Sequence, residues 1–96
     1  MSVYFVVQEK VTDPDGIKAY GKAARPSMAN IRGRAIVADD ALISVEGDWH
    51  GGRLVILEFD DEAAFREWYD SAEYQAALPL RLAASDSRAV LAKGLG

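Results

Sequence analysis

The 96-residue sequence contains no cysteine and a single histidine. The lack of cysteine excludes disulfide bonds, thiolate nucleophiles and zinc sites built on sulfur. One imidazole does not make a transition-metal or haem site, and the chain has no acidic loop with the spacing of a calcium site. We therefore expect that the protein needs no metal, haem or other cofactor.

Basic residues are fewer than acidic residues, and they are scattered along the chain. Eleven Lys and Arg stand against fifteen Asp and Glu, which gives a net charge of -4. This balance disfavours nucleic acid as a partner. The apolar run near the N-terminus is too short for a signal peptide or a membrane span. We expect a cytoplasmic protein that has no membrane partner.

Apolar residues make up half of the sequence, which suits a single domain with a modest core. Neither an internal repeat nor a long linker divides the chain. We therefore expect one domain over residues 1–96.

The first part of the chain shows the pattern of a strand followed by a helix. Residues 3–11 are mostly β-branched and aromatic, which predicts a buried strand. Asp13 and Pro14 form a helix start signal, and apolar residues then recur every three or four positions. The pattern predicts a helix that kinks or breaks near Arg25 and ends at Gly33.

The second part adds strand segments on both sides of a helical region. The segments "RAIVA" and "LISVEGDW" predict strand, and residues 53–59 form the clearest strand of the chain after an "HGG" turn. Asp60 or Asp61 can cap a second helix, and Ser71 can cap a short helical segment after it. Residues 88–92 predict a closing strand.

The order strand, helix, strand, strand, helix, strand predicts an α+β, ferredoxin-like βαββαβ fold. Right-handed crossovers place both helices on one face of a four-stranded antiparallel sheet. We also expect the first and third strands to be parallel neighbours, which brings Gln8 close to Glu58.

Both faces of the predicted sheet carry apolar side chains. The residues expected to face the helices by strand alternation are Val3, Phe5, Val7, Val55, Leu57 and Phe59. The opposite face carries Tyr4, Val6, Leu54 and Ile56, and no element of the chain remains to cover it. Contiguous exposed apolar surface usually marks an interface. We therefore expect a homodimer that forms through the sheet faces.

Two residues are candidates for acid-base chemistry, Glu58 and His50. Glu58 interrupts an otherwise apolar strand, so its carboxylate must be paired, hydrated or protonated. It is either part of a partly buried salt bridge, for example with an arginine, or a general acid or base. His50 is the only ready acid-base group near neutral pH, but it lies in a predicted turn beside two glycines, where a solvated side chain is ordinary.

The stretch "EWYDSAEYQAALPLR" combines three aromatic residues with an arginine. Trp68 lies on the apolar stripe of its helix and is expected to fill the core. Tyr69, Tyr74 and Arg81 are expected to approach the rim of a cavity. Arg81 can hold an anionic ligand or the carboxylate of Glu58.

The segments "VEGDW", "RLVILEF", "WYDSAEY", "LPLR" and "KGL" follow one another along the chain. In this order they resemble the domain-of-unknown-function 1330 family of the dimeric α/β-barrel superfamily, over Val3 to Leu95. The resemblance implies a ferredoxin-like domain that dimerises sheet to sheet, and it implies no reaction. It singles out Glu46, Gly47, Trp49, Arg53, Glu58, Phe59, Trp68, Tyr69, Ser71, Tyr74 and Arg81. Family members often have a proline after the turn that reads "HGG" here, so the hairpin near His50 is expected to differ.

Three functions fit these observations. The first is a dimer that binds or transforms a small molecule by proton transfer without a cofactor. Its catalytic candidates are Glu58 and His50, and its ligand-binding candidates are Tyr69, Tyr74, Arg81, Trp68 and Arg53. The second is a non-catalytic binding or regulatory module, and the third is a stress or assembly oligomer without a ligand. An open, polar-lined pocket favours the first two, whereas a pocket closed by packing favours the third.

Overall fold

The computed structural model describes residues 1–96 and contains four β-strands and three α-helices. In chain order the elements are β1 (Val3–Val11), α1 (Pro14–Ala24), β2 (Gly33–Asp39), β3 (Arg53–Phe59), α2 (Glu62–Tyr69), α3 (Ala72–Ala84) and β4 (Ser85–Lys93). The predicted order of strands and helices is confirmed, with the second helical region divided into α2 and α3. None of the helices has the length and apolar character needed to cross a membrane.

Each α-helix begins at a side chain that satisfies a free backbone N–H group. Asp13, Asp61 and Ser71 each accept a hydrogen bond from the N–H three residues ahead, at 2.8 to 3.1 Å. These are N-caps, and all three are confirmed predictions. Pro14 occupies the first position of α1, where the missing N–H has no cost.

The helix α1 ends earlier than the pattern predicts. At Arg25 the backbone tightens into a short 3-10 helix, Arg25–Met28, so the predicted break there is confirmed. Pro26 has no N–H with which to continue an α-helix. The prediction that the helix reaches Gly33 is wrong, because Gly33 begins β2.

Residues 40–52 form an irregular loop between β2 and β3, so the strand predicted for "LISVEGDW" is wrong. No strand of the sheet pairs with this segment. Ile43 and Val45, which favour a strand by composition, are each 88% exposed. Without a neighbouring strand to pack against, their β propensity has no effect.

The four strands form one sheet in the order β2-β3-β1-β4, and every neighbouring pair is antiparallel. The predicted four-stranded antiparallel sheet is confirmed. The expectation that the first and third strands are parallel is wrong. The crossover after β1 makes β2 parallel to β1. The strand β3 lies between these two strands and runs antiparallel to both. Gln8 is therefore opposite Leu54, and Tyr4 is opposite Glu58.

The helices cover one face of the sheet, which we call the helix face, and leave the other, the open face, uncovered. The predicted apolar set on β1 and β3 lies on the helix face. Trp68 is 2% exposed, and its ring lies 4.0 Å from that of Tyr74, centroid to centroid. The prediction that Trp68 fills the core is confirmed. The aromatic stretch of the sequence thus builds the helix side of the core.

Candidate functional site

A cavity of about 350 Å³ lies between α1 and the helix face of the sheet. Most of its lining side chains are apolar and come from β1, β2, β3, α1 and α2. The charged lining residues are Glu9, Arg25, Arg53 and Arg81. The cavity meets a wider depression of about 700 Å³, with which it shares Glu9, Ile17, Gly21, Arg25 and Arg53. These shared residues form the mouth of the cavity.

Three polar side chains lie in register across the sheet at one end of the cavity. Ser87 on β4 is opposite Glu9 on β1, and Glu9 is opposite Arg53 on β3. Glu9 is 3% exposed, and Arg53 Nε donates to its Oε1 at 3.0 Å. Arg53 Nη1 also binds the carboxylate of Asp40, the first residue of the irregular loop. Arg53 therefore links a buried carboxylate to the surface.

The helix α3 adds a second arginine above this row. Arg81 is buried, and its Nη1 donates to Ser87 Oγ at 2.7 Å. Its Cζ lies 5.9 Å from the centroid of the Tyr20 ring, and the Tyr20 and Tyr74 hydroxyl groups are 2.9 Å apart. Burial, followed by the effect of Tyr74, raises the pKa of Tyr20 above its ordinary value, so this hydroxyl stays protonated.

Trp68 closes the cavity on the side of the 3-10 helix. Its ring lines the cavity, and its Nε1 donates to Ser27 Oγ at 3.0 Å. Ser27 Oγ in turn donates to the Ala24 carbonyl at 2.6 Å. These bonds satisfy the indole N–H and hold the ring in place.

Gly21 lies within α1 at the mouth of the cavity. A Cβ added at this position would meet no atom within 4 Å. A glycine inside a helix costs about 1 kcal/mol relative to alanine. A larger side chain would have room here, so crowding does not require the glycine.

The chain matches the family described as a domain of unknown function, DUF1330, over residues 2–95. The chain belongs to this family. The resemblance drawn from its sequence segments is therefore confirmed. No curated protein matches this DUF1330 protein at a significant level.

Solved structures with the same fold extend over almost the whole DUF1330 chain. A protein of unknown function from Rhodopseudomonas palustris has a TM-score of 0.77 and 23% identity, with 99% of this chain and 83% of that chain covered. SnoaB, a cofactor-independent oxygenase from Streptomyces nogalater, has a TM-score of 0.70 and 19% identity, with coverages of 99% and 94%. A dimeric ferredoxin-like protein of unknown function from Thermobifida fusca has a TM-score of 0.66 and 23% identity, with coverages of 95% and 89%. At these identities the likeness establishes the ferredoxin-like fold.

The cavity of the DUF1330 protein brings together part of the predicted ligand-binding set. Arg53, Trp68 and Arg81 line it, and Tyr74 borders it through its hydroxyl contact with Tyr20. Tyr69 instead lies in the aromatic core, where its ring stacks on a neighbouring phenylalanine with centroids 5.4 Å apart. Its partner in that stack is Phe65.

Glu58 does not lie in the cavity, because it points to the open face. Its carboxylate accepts a hydrogen bond from the Tyr4 hydroxyl at 3.1 Å and pairs with Arg34 at 2.6 Å. The predicted pairing with Arg81 is wrong, since α3 packs on the helix face. The alternative prediction, a partly buried salt bridge with an arginine, is confirmed with Arg34 as that arginine. The hydrogen bond to Glu58 raises the pKa of Tyr4 above its ordinary value.

His50 also lies away from the cavity lining. Its Nε2 is 2.8 Å from the backbone carbonyl oxygen of Asp86, so this nitrogen donates the hydrogen bond. This hydrogen bond ties the loop to β4. The loop also lies close to β1, as Gly51 shows: a Cβ on Gly51 would lie 2.3 Å from the Glu9 carbonyl oxygen.

Three polar residues of the cavity are absent from the predicted site, Glu9, Tyr20 and Arg25. Glu9 continues the alternation of Val3, Phe5 and Val7, so the same reasoning that selected Glu58 places it on the helix face. Tyr20 lies on the apolar stripe of α1. The periodicity of β1 and α1 thus indicates the positions of Glu9 and Tyr20, but neither residue stands out by interrupting a long apolar run.

Proposed function

We propose that this DUF1330 protein is a homodimer in which each protomer binds a small molecule in the cavity between α1 and the sheet. The observation that carries the proposal is a largely apolar cavity with a few convergent polar groups. Its volume of about 350 Å³ lies within the range of ligand pockets, roughly 300 to 1,000 Å³. The polar groups of Glu9, Arg53 and Arg81 meet at one end, where they can orient a ligand.

The open space at the mouth favours a ligand-binding cavity over a packing defect. Gly21 leaves space that an alanine methyl group would enter without a clash. Alanine would also favour the helix by about 1 kcal/mol. The mouth therefore has room for a ligand to enter, and a larger side chain at Gly21 offers a way to block it.

If the ligand is transformed, Glu9 is the carboxylate placed to transfer a proton. It lines the cavity, whereas Glu58 and His50 do not. SnoaB, which shares the fold, is a cofactor-independent oxygenase. A shared fold does not transfer a reaction, so this relative supports only the view that the architecture accommodates chemistry without a cofactor.

A pair of substitutions at Gly21 tests the cavity. Gly21→Leu should place a branched side chain in the mouth and weaken binding, while Gly21→Ala should retain binding and raise the melting temperature. Ligands are found by native mass spectrometry of the protein from cells and by screening small molecules with ligand-observed NMR. Equal binding by the wild type and by Gly21→Leu would contradict the assignment of this cavity.

The homodimer is supported by the apolar character of the open face and of the adjacent loop. Val90 on the open face is 62% exposed, and Ile43 and Val45 in the loop are each 88% exposed. Leu54 of the open face and these loop residues line a shared groove. The Thermobifida fusca structure with this fold is that of a dimeric protein. Two copies that cover each other's open face would remove this surface from water.

Light scattering tests the dimer. The wild type should show about twice the chain mass of 10.4 kDa at micromolar concentration. Val6→Asp should give a monomer or an unfolded chain, because it places an unpaired charge in the interface. Ala63→Asp, at an exposed position of α2, is the matched control and should remain dimeric. A well-folded wild-type monomer would end the proposal of a dimer.

A further inference from the structure

Arg81 is a buried cation that has few hydrogen-bond partners. The residue is 4% exposed, and its Nη1 donates to Ser87 Oγ at 2.7 Å. Its Nε is buried and has no hydrogen-bond partner. A guanidinium group carries five N–H donors and no acceptor. A buried donor without an acceptor costs free energy, so the position of Arg81 requires a reason other than packing.

No carboxylate forms an ion pair with Arg81. The acidic residue that lines the cavity, Glu9, is bonded to Arg53 at 3.0 Å. The Tyr20 ring lies 5.9 Å from Arg81 Cζ, and a cation-π contact of this kind offsets only part of the cost of burial. The Tyr74 hydroxyl group and the Glu9 carboxylate are close enough to act on Arg81, but no carboxylate is in direct contact with its guanidinium group.

The cavity lining as a whole carries a positive charge, as Arg81 does. Three arginines, Arg25, Arg53 and Arg81, line the cavity together with one glutamate, Glu9. The whole protein has a net charge of -4. The cavity is thus a cationic region in an acidic protein, and it attracts anions that the rest of the surface repels.

We propose that the ligand is a small organic carboxylate whose charged group binds Arg81 and whose apolar body contacts the walls near Phe5 and Trp68. The inference rests on the function proposed above, because it names the ligand class of the same cavity. A carboxylate accepts two parallel N–H bonds from a guanidinium group. It binds the part of the guanidinium group that faces the cavity and supplies the negative charge that the lining lacks.

Matched pairs of carboxylates and neutral amides test the ligand class. The probes are benzoate with benzamide and cinnamate with cinnamamide, titrated into the full-length protein at pH 7.5 and followed by ligand-observed NMR. The carboxylate of at least one pair should bind the wild type roughly tenfold more tightly than its amide, because only the carboxylate makes charge-assisted bonds. This comparison uses the wild type alone and does not depend on the folding of a variant.

Arg81→Met removes the charge and keeps most of the side-chain volume. The variant should fold, since an apolar residue of similar size often replaces a buried charge without loss of stability. Its affinities for the two members of a pair should become equal. Arg66→Met, on the exposed side of α2, is the control and should keep the preference for carboxylates. Arg81→Lys should give a smaller preference than the wild type, because lysine lacks the planar fork.

Each outcome decides between the two proposals or ends both. If the wild type binds amides as tightly as carboxylates and Gly21→Leu weakens both, the cavity binds ligands but the carboxylate inference is wrong. If Arg81→Met loses stability and keeps the preference for carboxylates, Arg81 serves the fold and the inference is also wrong. If no probe and no cellular ligand binds the wild type, the function proposed for the cavity fails and the inference fails with it.

Discussion

Glu9 and Glu58 lie on neighbouring strands of one sheet, on opposite faces, and their surroundings differ. Glu9 is 3% exposed, and it lies under the helices beside Arg53 and a cavity. Glu58 has an 18% exposed side chain, and it pairs on the open face with Arg34, whose side chain is 74% exposed. The same residue type thus lies in an enclosed cavity on one face and forms a partly buried ion pair with an exposed arginine on the other.

The comparison extends to the aromatic residues of the two faces. On the helix face, rings pack against one another and leave a cavity at the end where charged residues enter. On the open face, Tyr4 is the aromatic residue, and its hydroxyl group binds Glu58. The difference teaches that enclosure in this fold comes from the helices, which is why we place the proposed ligand site on the helix face. The open face has no such cover and carries exposed apolar side chains such as Val90, which we propose to lie in the dimer interface.

The largest expected effect comes from the core beneath the cavity. Trp68→Ala should lower the free energy of unfolding by about 3 to 5 kcal/mol, because it empties a buried indole site. Leu82→Ala on α3, where the residue is 58% exposed and lies away from the open face, is the control and should cost less than about 1 kcal/mol. Urea unfolding followed by circular dichroism, at one protein concentration, measures both. Similar losses in the two variants would contradict the assignment of Trp68 to the core.

The next effect tests the buried carboxylate directly. Glu9→Gln should cost about 1 to 3 kcal/mol, because it leaves the Arg53 charge partly buried beside a neutral amide. The estimate lies below the usual cost of breaking a fully buried pair, since Arg53 also binds Asp40 and its side chain is 26% exposed. Urea unfolding at pH 7 provides the measurement. A variant as stable as the wild type would show that Glu9 is hydrated rather than paired.

Alkaline pH separates the tyrosines of the two faces. Burial and the neighbouring Tyr74 raise the pKa of Tyr20 above its ordinary value of 10.0. Above pH 10 the unfolded chain releases this proton while the native protein retains it, so stability falls as pH rises. The slope is roughly 1.4 kcal/mol per pH unit for one such group. Tyr20→Phe should flatten the decline measured by urea unfolding between pH 9 and 11.5, and Tyr4→Phe should flatten it less. An unchanged slope in Tyr20→Phe would contradict burial of this hydroxyl.

The smallest effect is expected on the open face. Glu58→Gln should change the free energy of unfolding by about 0 to 1 kcal/mol, because Arg34 lies on the edge strand β2 with its side chain 74% exposed and can stay hydrated beside a neutral partner. The substitution has the same chemistry as Glu9→Gln, so the two variants form a matched pair. If Glu58→Gln costs more than Glu9→Gln under the same urea conditions, the contrast between the faces is wrong.

The strands and helix starts of this protein are predictable because their determinants are local. Alternation along β1 assigns Val3, Phe5 and Val7 to the helix face, and side-chain caps mark the starts of all three helices. The loop at residues 40–52 is not predictable in this way, since a β-rich composition forms a strand only where another strand is available. The direction of β1 relative to β3 likewise depends on topology and not on composition.

The candidate site is predictable only in part, because its contacts join distant segments. Arg53 is found through the family resemblance, and Trp68 and Arg81 also from residue type and position, but the partner of Glu58 is not found. Arg34 reaches Glu58 through the register of β2 on β3, and that register shifts by one residue between Ala35 and Val37. A bulge of this kind has no signal in the apolar pattern, so the sequence does not indicate which arginine lies opposite.

The close approach of the loop to β1 sets limits for engineering this scaffold. Gly51 has a φ of 77° and no room for a Cβ beside Glu9, so any other residue there would force the backbones apart. Gly47 has a φ of 66° with open space around it, and asparagine suits such a position. A peptide inserted at Gly47 would meet no atom of its own protomer, but it would stand beside the groove that we propose as part of the dimer interface. An insertion at Gly47 would thus leave the charged end of the cavity in place and alter the proposed interface, while Gly51 must be kept unchanged.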